Sequence, residues 1–197
     1  MAEHTAARWR RGWWSGARRS SSPNFGPRPL GTAVSLLLVH SISRPPGTFG
    51  GDAVERLFAN RLDWDADPSF AAIRGLRVSA HFFVRRGGEL LQFVSCEDRA
   101  WHAGESAWRG RSNCNDYSIG IELEGLEGQV FESAQYETLV HLGARLAKRY
   151  PITAMVGHEH VAPNRKHDPG PGFDWQRLRN ALGQPSWDFP EGDLPGQ

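Results

Sequence analysis

The sequence predicts an α/β fold, a single domain with a central mixed β-sheet flanked by helices. Three patterns predict it. Short apolar runs at residues 34–39 and 155–158, and an alternating run at 118–124, read as strands. A wide apolar stripe over residues 133–149 reads as a helix, so strands and helices interleave and parallel pairs are expected. Residues 79–94 read as a hairpin, which makes the sheet mixed. At 197 residues the chain suits one domain with room for a proper core.

Residues 1–30 alternate Arg, Trp, Ser and Pro without helical or strand periodicity and form an N-terminal basic and aromatic arm. Trp9, Trp13 and Trp14 can wrap this arm onto the domain. The domain proper is assigned to residues 31–183. Its first strand ends at Val39, just before His40, and the Pro- and Gly-rich residues 43–51 must be loop. Asp52 caps a short helix to Asn60 with Val54, Leu57 and Phe58 inward. Residues 63–75 form an irregular, partly helical excursion.

In the hairpin, strands at 79–85 and 89–94 flank a Gly87-Gly88 turn. Along 118–124, Ile119, Ile121 and Leu123 point one way, and Ser118, Gly120, Glu122 and Glu124 the other. Ser133 caps the long helix, whose stripe is Tyr136, Leu139, Val140, Leu142, Leu146 and Ala147, and Pro151 stops it. Asp174 caps a last helix from Trp175 to Leu182, ended by Gly183. Residues 184–197 have the composition of a tail. No internal repeats occur.

Charge and composition exclude several classes. The chain carries 23 basic and 22 acidic residues, which argues against a nucleic-acid partner. The balance is uneven: the arm holds six arginines (8, 10, 11, 18, 19 and 28) against Glu3, and is read as a solvated segment. No stretch approaches the ~20 apolar residues of a membrane span. No secretory or twin-arginine signal is read at the N-terminus. Cys96 and Cys114 are expected to be reduced and structural, and the expected compartment is the cytoplasm. The sequence does not fix the oligomeric state; a monomer is favoured.

The chemistry concentrates in residues 157–171, GHEHVAPNRKHDPGP, with three imidazoles, two carboxylates, a lysine and an arginine. The segment reads as a strand end followed by a rigid loop that returns Asp168 towards His158. Imidazole and carboxylate together suit zinc. His40 and His158 each close an apolar strand at its C-terminal end, the edge where ligands of open α/β sheets collect. The proposed metal set is therefore His40, His158 and Asp168, with zinc in a groove at the sheet edge and a fourth position left for water. His160 and His167 are read as surface or supporting groups. Glu122 is the candidate acid/base, with Gly120 beside it leaving room for a substrate, and Lys166 can neutralise a developing oxyanion.

These residues sit in longer blocks. Residues 39–43 (VHSIS), 45–47 (PPG), 49–51 (FGG), 76–81 (LRVSAH), 99–104 (RAWHAG), 114–125 (CNDYSIGIELEG) and 165–171 (RKHDPGP) occur in order and with the right spacing. Together they resemble the zinc-dependent N-acetylmuramoyl-L-alanine amidases of the AmpD type, over about residues 13–182. The resemblance implies a small muropeptide substrate, cleaved at the amide between the lactyl group of N-acetylmuramic acid and L-alanine. It implies a preference for the 1,6-anhydro form recycled from the cell wall in the cytosol. It further implies zinc on His40, His158 and Asp168, Glu122 as acid/base, Lys166 as transition-state stabiliser, and Arg77, Trp101, His102 and Arg165 along the substrate groove. The chain departs from the family at Ser41, where Asn is frequent, at Asn113, where Arg is frequent, and at His167, where Thr is common. The competing readings are an amidase of the same fold acting on intact peptidoglycan, and a non-catalytic peptidoglycan-binding protein. The latter type has usually lost a zinc ligand, and here all three positions are filled. A purely structural zinc domain would need a fourth protein ligand, and no cysteine is suitably placed.

Overall fold

A computed structural model describes residues 8–190; residues 1–7 of the arm and 191–197 of the tail lie outside it. The core is a six-stranded mixed sheet. Across it the order is Ala154–Gly157, Leu36–Ile42, Ser118–Glu124, Phe82–Val84, Leu90–Gln92 and Arg18–Arg19. The only antiparallel pair in this sheet is the expected hairpin, Phe82–Val84 with Leu90–Gln92, turned at Gly88 with φ +84°. The three strands that read as apolar or alternating lie side by side and parallel.

The Leu36–Ile42 strand starts later and runs further than the apolar run suggests. It pairs residue for residue with Ser118–Glu124, so His40 lies within the strand and not just beyond its end. Both faces of Ser118–Glu124 are buried, because helices and loops cover the sheet on each side. The Ser133–Ala147 helix packs Tyr136, Leu139, Leu142 and Leu146 against one face. Its N-cap is Glu132, not Ser133: the Glu132 carbonyl accepts the Gln135 N–H, while Gln135 Oε1 accepts from the Glu132 N–H. Asp52 precedes Ala53–Phe58 but pairs with Arg56 at 2.7 Å instead of capping the backbone. Asp174 does cap Trp175–Leu182, accepting from the Arg177 N–H.

Packing crosses both compositional bounds, 30 and 183. Arg18–Arg19 forms the sheet's outer strand beside Leu91 and Gln92, and Trp9 and Trp14 pack on the main core. Arg28 is the anchor: its guanidinium donates to the carbonyls of Cys96, Asn115, Asp116 and Ser118. Burial pushes its pKa down to about 10, so this arginine is a staple and not a solvated charge. At the other end Trp187 and Phe189 are buried in the same core. Asp188 bridges Ala154 and covers the outer side of the strand that leads to His158. Aromatic area outweighed polar composition at both ends.

Candidate metal centre and active site

The sheet register builds half of the site. Glu122 is the register partner of His40, and Gly157 pairs with Val39, so His158 emerges next to His40. His158 opens a helical turn, His158–Val161, where a loop was expected. His160 turns away, accepting the Gly157 N–H and packing edge-on against Trp175. The chain then loops back, and the Asp168 carbonyl accepts the Glu159 N–H. Gly157 is what lets it close: a Cβ there would sit 2.7 Å from Pro169 Cδ. Asp168 is thereby returned to His158, as the Pro-rich spacing suggests.

His40 Nδ1, His158 Nδ1 and Asp168 Oδ2 converge, with separations of 3.0, 3.2 and 3.3 Å. Ligand atoms about 2.0–2.1 Å from a shared tetrahedral ion lie roughly 3.3 Å apart, so the set fits zinc. The outward nitrogens are engaged. His158 Nε2–H donates to the Ala103 carbonyl at 3.1 Å, which leaves its Nδ1 as a bare lone pair. His40 Nε2 meets His102 Nδ1 at 3.0 Å, and His102 Nε2 meets Ser118 Oγ at 3.3 Å. With each proton passed outward, both Nδ1 lone pairs face each other, an arrangement that a cation relieves. Burial, then His158, pushes His40 down to about pKa 4, so it is neutral and able to ligate. Burial works against ionisation of Asp168, but its closeness to His158 and His40 holds it well below the usual carboxylate range.

Glu122 lies in the same cavity with His102 and Lys166. Burial, then the charge of Asp168, pushes its pKa up to about 8, and its Oε2 is buried without a hydrogen-bond partner. A carboxyl that holds its proton near neutrality is the form suited to acid/base work. Gly120 does not make room for a substrate: a Cβ there would meet the His102 ring at 2.5 Å. The glycine accommodates His102, which supports His40 from behind.

The groove residues separate. His102 backs His40 behind the candidate metal site. Arg77 is exposed, next to Leu76 and Val78, which line the cavity. The Trp101 N–H donates to Ser79 Oγ at 3.0 Å, and Ser79 lines the cavity. Arg165 is directed elsewhere, donating to the Ala103 carbonyl at 2.7 Å. Ser41 lines the cavity, His167 is exposed, and Asn113 takes a left-handed φ of +56° that asparagine tolerates. Sequence reasoning missed Arg44, which lines the cavity within electrostatic reach of Glu122. It stands in the stretch 43–51 dismissed as loop, and no periodicity marks it.

Comparisons with known proteins agree with this geometry. A family profile described as N-acetylmuramoyl-L-alanine amidase matches residues 30–171. The chain is 51% identical over 177 residues to the 1,6-anhydro-N-acetylmuramyl-L-alanine amidase AmpD of Citrobacter freundii, covering 89% of this chain and 94% of that protein. A crystal structure of an AmpD selenomethionine derivative superposes with a TM-score of 0.85 at 48% identity, covering 89% of this chain and 99% of that one. The Escherichia coli amidase AmiD, solved with anhydro-N-acetylmuramic acid-L-Ala-D-γ-Glu-L-Lys, is 31% identical with a TM-score of 0.56, over 89% of this chain and 65% of AmiD. The AmpD-type resemblance and the mixed-sheet fold both hold, and the chain belongs to the N-acetylmuramoyl-L-alanine amidase family.

Proposed function

We propose that this amidase is zinc-dependent and cleaves the bond between 1,6-anhydro-N-acetylmuramic acid and L-alanine of small muropeptides, in cytoplasmic cell-wall recycling. One observation carries the catalytic reading. His40, His158 and Asp168 converge beside a buried carboxyl, Glu122, that has a free oxygen in the same cavity. The anhydro preference is supported by the activity named for the AmpD relative, which this chain matches over 94% of that protein. A reducing compartment is supported by Cys96 and Cys114, both buried and free. No helix among the described residues is long and apolar enough to cross a membrane.

In this reading His40, His158 and Asp168 hold the zinc ion. When bound there it supplies a Lewis acid that acidifies water and polarises the scissile carbonyl. Glu122 takes the proton of the attacking water and delivers it to the departing L-alanine nitrogen, a shuttle suited to a group poised near neutrality. Lys166 offsets the negative charge that develops on the carbonyl oxygen. His102 and Ser118 keep the His40 proton on Nε2. Arg77 and Trp101 flank the groove and meet the peptide and sugar, while Arg165 fixes the loop that accepts from His158.

The decisive test joins metal analysis of the purified protein with mass spectrometry of products from an anhydromuropeptide. One zinc per chain and release of the intact stem peptide are expected. A metal-free protein with full turnover would overturn the zinc reading. Equal rates on anhydro and reducing-end muropeptides would overturn the recycling preference.

A further inference from the structure

Among the described residues three buried side-chain atoms lack a hydrogen-bond partner, and the residues bearing two of them line the active-site cavity: Glu122 Oε2 and Arg44 Nε. Glu122 has a role in the reaction. Arg44 has none so far. Its backbone leaves the sheet just past Ile42, and its Nη1 donates to the Ser43 carbonyl at 2.9 Å, which fixes the guanidinium. Other buried or half-buried arginines have a charged or carbonyl partner: Arg85 pairs with Glu55 and Glu124, Arg28 serves four carbonyls, and Arg86, whose Nη1 is the third unpartnered atom, pairs with Glu132. Among the described residues no carboxylate comes within ion-pair distance of Arg44; Glu122 reaches it only through space. A buried donor without a partner is destabilising and invites completion by a ligand.

We propose that Arg44 is a specificity-determining residue that binds a free carboxylate of the stem peptide, two residues from the scissile amide. The proposal rests on the muropeptide reading above. In the ligand named for AmiD, L-alanine has its carboxyl tied up in the next amide, and the γ-linked D-glutamate bears the first free α-carboxylate. Arg44 shares a cavity with Glu122, so a group it binds must lie within a residue or two of the bond being cut. A planar guanidinium, half-buried in the cavity wall and without an anionic partner, matches a carboxylate better than a neutral amide, whose own N–H groups it repels.

The test uses the zinc-loaded enzyme and two synthetic substrates in competition, anhydro-N-acetylmuramic acid-L-Ala-D-γ-Glu-L-Lys and the same compound amidated at the D-glutamate α-carboxyl. Competition yields the ratio of kcat/KM directly, whatever fraction of a variant is folded. The wild-type enzyme should prefer the acid by about tenfold or more, as one charge-assisted hydrogen bond allows. Arg44→Gln should reduce the preference to about twofold or less, chiefly through KM, and Arg44→Lys should restore part of it. An undiminished preference in Arg44→Gln would overturn the proposal. So would an equal loss on both substrates with a shifted pH profile, which would mean that Arg44 acts through Glu122. Failure of the wild-type enzyme to cleave either substrate would overturn the muropeptide reading and the Arg44 proposal together.

Discussion

Gly120→Ala tests how the metal centre is supported. The added Cβ would lie 2.5 Å from His102 Cγ and 2.6 Å from Cδ2 and Nδ1, against ordinary contacts of 3.4–4 Å. The ring must therefore retreat by about 1 Å, into a buried site backed by His81 at 5.7 Å between centroids. That retreat breaks the 3.0 Å contact between His102 Nδ1 and His40 Nε2. Overpacking of this kind costs about 1–3 kcal/mol of stability. Loss of the group that orients a ligand costs about 10- to 100-fold in metal affinity. Zinc affinity, read by competition with a chromophoric chelator, should fall by that factor, and urea unfolding of the metal-free protein should show the stability loss. In a His102→Ala background the ring is gone, and Gly120→Ala should be nearly neutral for stability. Zinc affinity unchanged within about twofold in Gly120→Ala would show that His102 does not hold His40.

Glu122→Gln should keep about one zinc yet lose turnover by at least ~100-fold; unaltered turnover in a steady-state assay would remove Glu122 from the reaction. The same variant has a pH signature. Glu122 titrates near 8 in the fold but near 4.5 when unfolded, so the native state binds more protons between those values. Stability of the metal-free wild type therefore falls as pH rises through that window. Glu122→Gln removes this term, so its stability advantage should grow from pH 5 to pH 8 in urea titrations; a constant difference would contradict the raised affinity. Asp168→Ala should lose zinc and activity together, and full zinc occupancy by elemental analysis would refute the ligand assignment. Arg28→Met leaves the carbonyls of Cys96, Asn115, Asp116 and Ser118 without their donor. Unsatisfied buried groups cost about 1–3 kcal/mol each, so a loss of at least ~3 kcal/mol is expected by chemical denaturation. A loss below ~1 kcal/mol would mean that the arm is held by its tryptophans alone.

The strands were legible because apolar runs and period-two alternation are local signals. The convergence of His40, His158 and Asp168 was legible because His40 and His158 follow such runs, and because Pro169 announces a stiff return at Asp168. Three things were not. Strand length is set by the partner: Leu36–Ile42 continues past His40 because Ser118–Glu124 matches it to the end. The tail looks polar, yet Trp187 and Phe189 gain more from burial than their neighbours lose, and Arg28 of the arm read as solvated but is half-buried. Gly120 showed that space was needed, but not that His102 fills it. Each miss depends on a contact distant in sequence, where periodicity carries no information.

Glu122 and His40 are held by the register of two central parallel strands, whereas Lys166 and Asp168 ride on a segment closed by Pro169 against Gly157. The two halves of the site therefore differ in mechanical hardness. Central strands open only with the whole fold, but a loop can open by itself at much lower cost. With zinc bound as proposed, metal exchange and denaturation would be separate events in this protein. The lifetime of the ion would then be set by opening of the Asp168 segment, and a chain that lost its metal would keep an intact, fully folded sheet.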